Sequence, residues 1–333
     1  MTVDNVPGKD RAVTAARAGA RALSLLAVPL NAALLQELAK GPSSLTELRR
    51  NTGSPPPTTM RGHLRTLIEA GVLERRRRSS FPGSVDFALT SAGDEFLGVV
   101  TALQTWLDHA PEGSLELGTT AARSAIKALV DGWSTGILRV LAARPLSLTE
   151  LDQVIKGVSY PSLERRLSAM RLVGQIEQVL GRERGTPYGV TPWLRYAVVP
   201  LGAATRWERL SGLPGASPVA PLDVEAALLL AVPLLRLPAD LDGTCRLAVE
   251  VKTGNGGRQA GVLATIDQGR VVGCVTRIQG HAEAWVAGPP TTWLRAVIGG
   301  KAAGLEIGGD CRLALALVEG LHSTLVPRRS PTS

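Results

Sequence analysis

Cysteine is scarce and badly spaced for chemistry. Only three occur in the 333 residues, Cys245, Cys274 and Cys311, all in the last third. They are odd in number and too far apart for a disulfide framework or a thiolate metal site. Histidine is nearly as rare: His63, His109, His281 and His322 are scattered, with no carboxylate or cysteine at ligand spacing, which argues against a metal centre. Aromatic residues make up 4% of the chain. No apolar run reaches the roughly 20 residues of a membrane-spanning helix; the stretch around Leu228 to Leu237 is broken by Pro233 and Arg236. The start, MTVDNVPGKDR, lacks the apolar centre of a secretory signal, so a reducing cytoplasm is the expected setting. There is no Gly-x-Ser-x-Gly elbow and no phosphate loop, and Gly254-Asn255-Gly256-Gly257 reads as a hairpin turn rather than a dinucleotide site. The expectation is a protein that is not an enzyme and uses no cofactor.

What the chain does have is a 44% hydrophobic content suited to globular domains and a net charge of +8. The charge is unevenly placed: +3 over residues 1–110, +4 over 111–210 and +1 over 211–333. A basic excess confined to the first two thirds points to a polyanionic partner, with a merely arginine-rich surface as the alternative.

The first two thirds contain a duplication. At an offset of 103 residues, LLQELAKGPSSLTEL (Leu34 to Leu48) falls on ILRVLAARPLSLTEL (Ile137 to Leu151), then Leu64 on Leu167, Leu67 on Met170 and Gly71 on Gly174. The offset later shrinks to 101, pairing Leu89-Thr90 with Val190-Thr191 and Trp106 with Trp207. In the first copy, Pro29 opens a helix that Gly41-Pro42 ends, Ser44 caps a second, and a third starts near Thr58 with Met60, Leu64, Leu67 and Ile68 on its buried stripe. Gly71 stops it. Two strands, Val72 to Arg76 and Val85 to Leu89, precede a helix from Ser91 to Leu107. The order helix, helix, helix, strand, strand, helix is that of a winged helix-turn-helix.

The motifs that carry this order are Leu45 to Leu48 (LTEL), Met60 to Leu67, Gly71 to Arg75 and Phe87 to Gly93 (FALTSAG), repeated as Leu148 to Leu151, Leu163 to Met170, Gly174 to Ile176 and Tyr188 to Thr191. In this arrangement both copies resemble the HxlR family of bacterial regulators, and Asp131-Gly132-Trp133 resembles that family's lead-in to its first element. The first copy departs from the pattern with His63 in place of arginine; the second keeps Arg166 but loses the glycine after its wing, at Pro192-Trp193-Leu194. The resemblance implies transcription regulation through double-stranded DNA. It also implies a twofold dimer, which a two-unit chain would either imitate internally or extend as a homodimer.

A helix-turn-helix presents the outer side of its recognition helix to a major groove. With Met60, Leu64 and Leu67 inward, Thr58, Thr59, Arg61, Gly62 and Arg65 face out; Thr58, Thr59, Arg61, His63 and Arg65 are the candidate DNA contacts, with packing or hydrogen bonding as the stronger alternative for His63. The second copy offers Ser162, Arg165, Arg166 and Ser168. Arg75, Arg76, Arg77 and Arg78 run along the first wing, with alternation sending about half each way, and Arg182 and Arg184 form a thinner version in the second. A solvated strand edge is the bland alternative for the run.

After a linker at 211–221, residues 222–333 read as a small α+β domain. Its helix from Leu222 to Leu235 is followed by strands at Cys245 to Lys252, Gly261 to Ile266, Val271 to Ile278 and Ala282 to Ala287. A helix at Thr291 to Ile298, a strand at Leu305 to Ile307 and a helix at Cys311 to Leu321 close it. The stretch ending in Gly308-Gly309-Asp310 and the last helix resembles the sterol-carrier-protein type 2 group. That resemblance implies an apolar cavity between sheet and helices for a small hydrophobic ligand, lined by Trp285, Trp293, Leu294, Val297 and Leu317. The expected fold class is thus α+β: two tandem winged helix-turn-helix domains, 1–110 and 111–210, then the sterol-carrier-like domain. Two other functions stay open: a ligand-sequestering or resistance protein whose wings have lost DNA, and a protein-binding scaffold.

Overall fold

The computed structural model describes residues 17–77, 85–130, 134–155, 157–179, 186–212, 217–251, 258–276 and 280–326. The chain starts with α1 (Ala20–Leu26) and α2 (Pro29–Leu38), then β1 (Ser43–Ser44), α3 (Leu45–Asn51), α4 (Pro57–Glu69), β2 (Leu73–Arg77), β3 (Val85–Leu89) and α5 (Ser91–Asp108). A second series follows: α6 (Thr120–Val130), α7 (Ser134–Ala143), α8 (Leu148–Val154), α9 (Tyr160–Leu172), β4 (Ile176–Gln178), β5 (Tyr188–Val190), α10 (Pro192–Tyr196) and α11 (Val198–Leu210). The order matches, except that β1 has only an isolated bridge at Leu146 as its counterpart and that one helix, α5, corresponds to the pair α10 and α11. Pro200 explains the break, because its ring displaces the carbonyl four residues back, on Tyr196.

Duplicated sequence produces duplicated local chemistry. Ser44 Oγ accepts the Glu47 N–H at 3.3 Å while the Glu47 carboxylate accepts the Ser44 N–H at 2.9 Å. Ser147 and Glu150 repeat this box at 3.3 and 2.7 Å, and the Ser147 N–H holds the Glu150 carboxyl below the usual carboxylate range. Past each wing a threonine caps the next helix. Thr90 Oγ1 accepts the Gly93 N–H at 2.9 Å and donates to Gly71 O at 2.6 Å; Thr191 Oγ1 accepts the Leu194 N–H at 3.2 Å and donates to Gly174 O at 2.9 Å. Each box satisfies two helix-end donors that would otherwise lack partners. Ser44→Ala is expected to lower stability by about 1 kcal/mol in chemical denaturation, and Ser147→Ala by a similar amount; no change in either would show that water caps these helices equally well.

The two series share one apolar core, continuous from Ala22 through Leu103 and Leu163 to Trp207. Helices α5 and α11 run against each other at its centre. Trp106 Nε1 donates to Trp193 O at 2.9 Å, and Trp207 Nε1 donates to Ala92 O at 2.7 Å. At the 101-residue offset Trp106 corresponds to Trp207 and Ala92 to Trp193, so the two bonds exchange into each other, as bonds across a twofold axis do. Trp106 and Trp193 also stack, with ring centroids 4.3 Å apart and planes 3° from parallel. The paired first helices α1 and α6 touch as well. The N-terminus of α1 is closed from far along the chain: the buried Glu208 carboxylate accepts the N–H groups of Gly19 at 2.9 Å and Ala22 at 2.8 Å.

The remainder is one sheet with helices on it. After α12 (Pro221–Ala231) come β6 (Gly243–Val251), β7 (Arg258–Asp267), β8 (Arg270–Val275), β9 (Ala284–Gly288), α13 (Pro290–Gly299), β10 (Glu306–Gly309) and α14 (Cys311–Leu325). The helix expected to reach Leu235 stops at Ala231 and tightens into a 3-10 turn over Val232–Leu234, where Pro233 supplies no N–H. Strand order is β10-β9-β6-β7-β8, with β6 and β9 parallel and the other neighbours antiparallel. The Gly308-Gly309-Asp310 motif has a steric basis. A Cβ on Gly308 would fall 2.4 Å from the Trp285 ring, and one on Gly309, at φ 70°, would fall 2.0 Å from Glu283 O. Asp310 then caps α14 by accepting the N–H groups of Arg312 and Leu313 at 2.9 and 3.1 Å.

Candidate nucleic-acid interface

Helix α4 buries Met60, Leu64 and Leu67 and leaves Thr58, Thr59, Arg61 and Arg65 exposed. Arg65 makes only a loose 3.6 Å pair with Glu69, both side chains in solvent; such a pair contributes little and leaves the guanidinium available. Between the arginines, Gly62 keeps the helix surface bare, since an added Cβ would meet nothing within 4 Å. His63 is half-buried, its Nδ1 2.9 Å from Asn31 Oδ1 on α2. That contact ties α4 to its scaffold and leaves the flanking threonines and arginines as the outward donors.

In the wing, β2 and β3 pair antiparallel with Arg75 opposite Phe87, Arg76 opposite Asp86 and Arg77 opposite Val85. All three arginines are exposed. Leu73 anchors the Arg75 and Arg77 face in the core, while Arg76 lies on the other face and binds Glu74 at 2.7 Å. Arg78, Arg182, Arg184 and Trp133 lie outside the described residues.

Helix α9, the counterpart of α4 in the second series, differs from it. On α9, Leu163, Leu167 and Met170 are buried and Arg165 and Ser168 exposed, whereas Ser162 and Arg166 are half-buried. Arg165 donates to Ser162 Oγ at 3.3 Å. Arg166 lines a hollow with Ala128 on α6 and Ile137 on α7, so part of its length is enclosed; at the matching position of α4 stands His63, held by Asn31. Beside the β4–β5 pair, the counterpart of β1 is reduced to a single bridge between Leu146 and Tyr188.

The expected ligand residues separate. Trp293, Leu294 and Val297 line an apolar cavity, but Trp285 and Leu317 do not. Alternation along β9 turns Ala284 and Val286 inward and Trp285 outward, 36% exposed over Gly308. Leu317 is fully buried in the core beneath α14, one turn short of the cavity that Leu321 and Leu325 reach. The cavity itself has no wall from the sheet; α11 takes that place, with Val198, Leu201 and Thr205. Sequence reasoning missed this because α11 belongs to the other half of the chain. Burial pushes the Cys245 and Cys274 thiols up to about 12, far from the thiolate form that sensing chemistry needs. Among the described residues no histidine, cysteine and carboxylate group is arranged to hold a metal, and no helix is long and apolar enough to cross a membrane.

Comparison with known proteins agrees on the first unit. Residues 30–113 match the HxlR family, described as an HxlR-like helix-turn-helix. The chain is 34% identical over 96 residues to the HTH-type transcriptional regulator Mb3122 of Mycobacterium bovis, covering 28% of this chain and 60% of that protein. The same figures hold for the HTH-type transcriptional regulator Rv3095 of Mycobacterium tuberculosis. The chain thus spans about three fifths of the length of these relatives. Among solved structures, diamide-treated YodB from B. subtilis aligns with 25% identity and a TM-score of 0.25, covering 26% of this chain and 87% of that one. Residues 30–113 therefore form an HxlR-type helix-turn-helix domain.

Proposed function

We propose that this chain is a transcription regulator that reads double-stranded DNA as a single polypeptide. Residues 111–210 act as a second winged helix-turn-helix and supply the half that a partner subunit would supply in a dimer. The C-terminal sterol-carrier-like domain adjusts occupancy through a small apolar ligand. The observation that carries the reading is the exchange of the Trp106–Trp193 and Trp207–Ala92 hydrogen bonds about one shared core. This is the pattern of a dimer interface, and it holds two basic helices in fixed relation. Exposure of Thr58, Thr59, Arg61 and Arg65 around a bare Gly62 supports contact with DNA by the first. The partial enclosure of Arg166 favours an unequal reader in which α4 contributes more than α9.

The test is binding to DNA from the protein's own promoter at two salt concentrations. The expected outcome is one chain per site, affinity falling steeply with salt, and about a tenfold loss for Arg61→Ala with a smaller loss for Arg166→Ala. No binding at low salt would overturn the reading and leave ligand sequestration in its place; two chains per site would overturn the single-chain form of it.

A further inference from the structure

Four helices converge on a cavity of about 100 Å³. Leu201 and Thr205 of α11, Ala227 of α12, Trp293 of α13 and Leu325 of α14 represent its walls. Almost every lining group is apolar, and the exceptions are Arg17, Asp223 and Thr205. Thr205 Oγ1 is engaged within its own helix, donating to Leu201 O at 2.8 Å. Asp223 accepts the Ala220 N–H at 3.1 Å at the start of α12. Arg17 is the outlier. It is 6% exposed, and its Nη1 has no hydrogen-bond partner among the described residues.

A guanidinium carries five N–H donors in a planar fork. The Nη1 of Arg17, buried without an acceptor among the described residues, is a group that structures rarely leave so. Burial pulls its pKa below the usual range, and among the described residues the nearby charge of Asp223 opposes that. The group that suits such a site is a carboxylate, which accepts two parallel N–H bonds from one arginine. The rest of the occupant must be hydrocarbon, because the walls offer nothing else. Cavities of about this size hold a single ring or a short branched chain.

We propose that this cavity binds a small apolar carboxylic acid, with its carboxylate on Arg17 and its hydrocarbon body among α11, α12, α13 and α14. The site is not the space between sheet and helices that the sequence suggested, and its place gives it a lever. Helix α11 turns Leu201 and Thr205 to the cavity, while its Trp207 and Glu208 hold α5 and α1. An acid that fits one setting of α11 better than another shifts the relative placement of the two basic helices. That last step rests on the DNA-binding reading; the site does not.

Calorimetric titration of the full chain with 3-phenylpropanoate and with 3-phenylpropan-1-ol tests it. The acid should bind about tenfold or more tighter than the alcohol. Arg17→Met should erase that preference while leaving the alcohol unaffected, and Ala227→Phe should abolish both by filling the space. Equal binding of the two compounds by the unaltered chain, binding of neither, or a preference that survives Arg17→Met would overturn the proposal. Promoter binding with and without 3-phenylpropanoate separates the two readings. Acid binding with DNA affinity unchanged supports the site and rejects ligand control, whereas acid binding by a chain that ignores DNA altogether supports the site and rejects the regulator.

Discussion

Trp106→Ala should lower stability by about 3–5 kcal/mol, and it should do so by loosening the two halves from each other rather than by unfolding either one alone. Trp106 is 3% exposed and lies face to face with Trp193. Its Nε1 donates to Trp193 O at 2.9 Å, and Trp193 Nε1 returns a bond to Trp106 O at 2.7 Å. Alanine removes the stacked ring, opens a void the size of an indole and strips the Trp193 carbonyl of its donor, three losses at one place. Trp106→Phe keeps much of the ring contact and forfeits the hydrogen bond, so a loss of about 1–2 kcal/mol is expected. Guanidinium denaturation followed by circular dichroism reads both. If Trp106→Ala moved the midpoint no further than Trp106→Phe, the stacked pair would be incidental to the shared core.

The same substitution reaches function. Under the proposed reading two basic helices held on one shared core meet DNA together, with the second contact made at an effective concentration set by the first. With the pair removed, the expected promoter affinity falls toward that of one unit while the contribution of Arg61 persists. Gly62, Thr58 and Thr59 lie far from Trp106 in the sequence and on the exposed side of α4, so a loss of affinity here reports the geometry between units, not the contact surface.

Much of this was legible because it is local. Ser44 reads as the cap of the second helix, and spacing alone puts Met60, Leu64 and Leu67 on the buried side of α4. The Gly308-Gly309-Asp310 motif likewise acts through neighbours one strand away. What escaped reading depends on distant chain. Helices α1 and α6 went unmarked: α1 has seven residues, too few to stand without tertiary support. That support comes from Glu208, whose carboxylate closes its N-terminus across 186 residues or more. Trp285 and Leu317, expected on the cavity, do not reach it, because a one-residue difference in strand parity or one helical turn decides which side a group faces. Arg17 carried no signal at all, since nothing near it in sequence marks it as buried.

Glu225→Ala should be the most damaging change in the C-terminal half, at about 3 kcal/mol. The Glu225 side chain, 4% exposed, lies 2.8 Å from Arg139 Nη1 on α7. Its other oxygen accepts the Gly261 N–H of β7 at 3.0 Å. One carboxylate therefore joins the second helical series to the sheet. Its two partners differ in what they lose. Arg139 keeps 31% of its side chain in solvent and can turn to water, which discounts its share. Gly261 cannot move, because at φ 140° it sits so close to β6 that a Cβ would fall 2.1 Å from Leu247 O, and its N–H stays buried with no acceptor. Glu225→Ala should thus destabilise more than Arg139→Ala, and Glu225→Gln, which retains an oxygen for Gly261, should fall between them in the same denaturation assay. Were Arg139→Ala the worst of the three, the ion pair and not the backbone hydrogen bond would be what fastens α12 to the sheet.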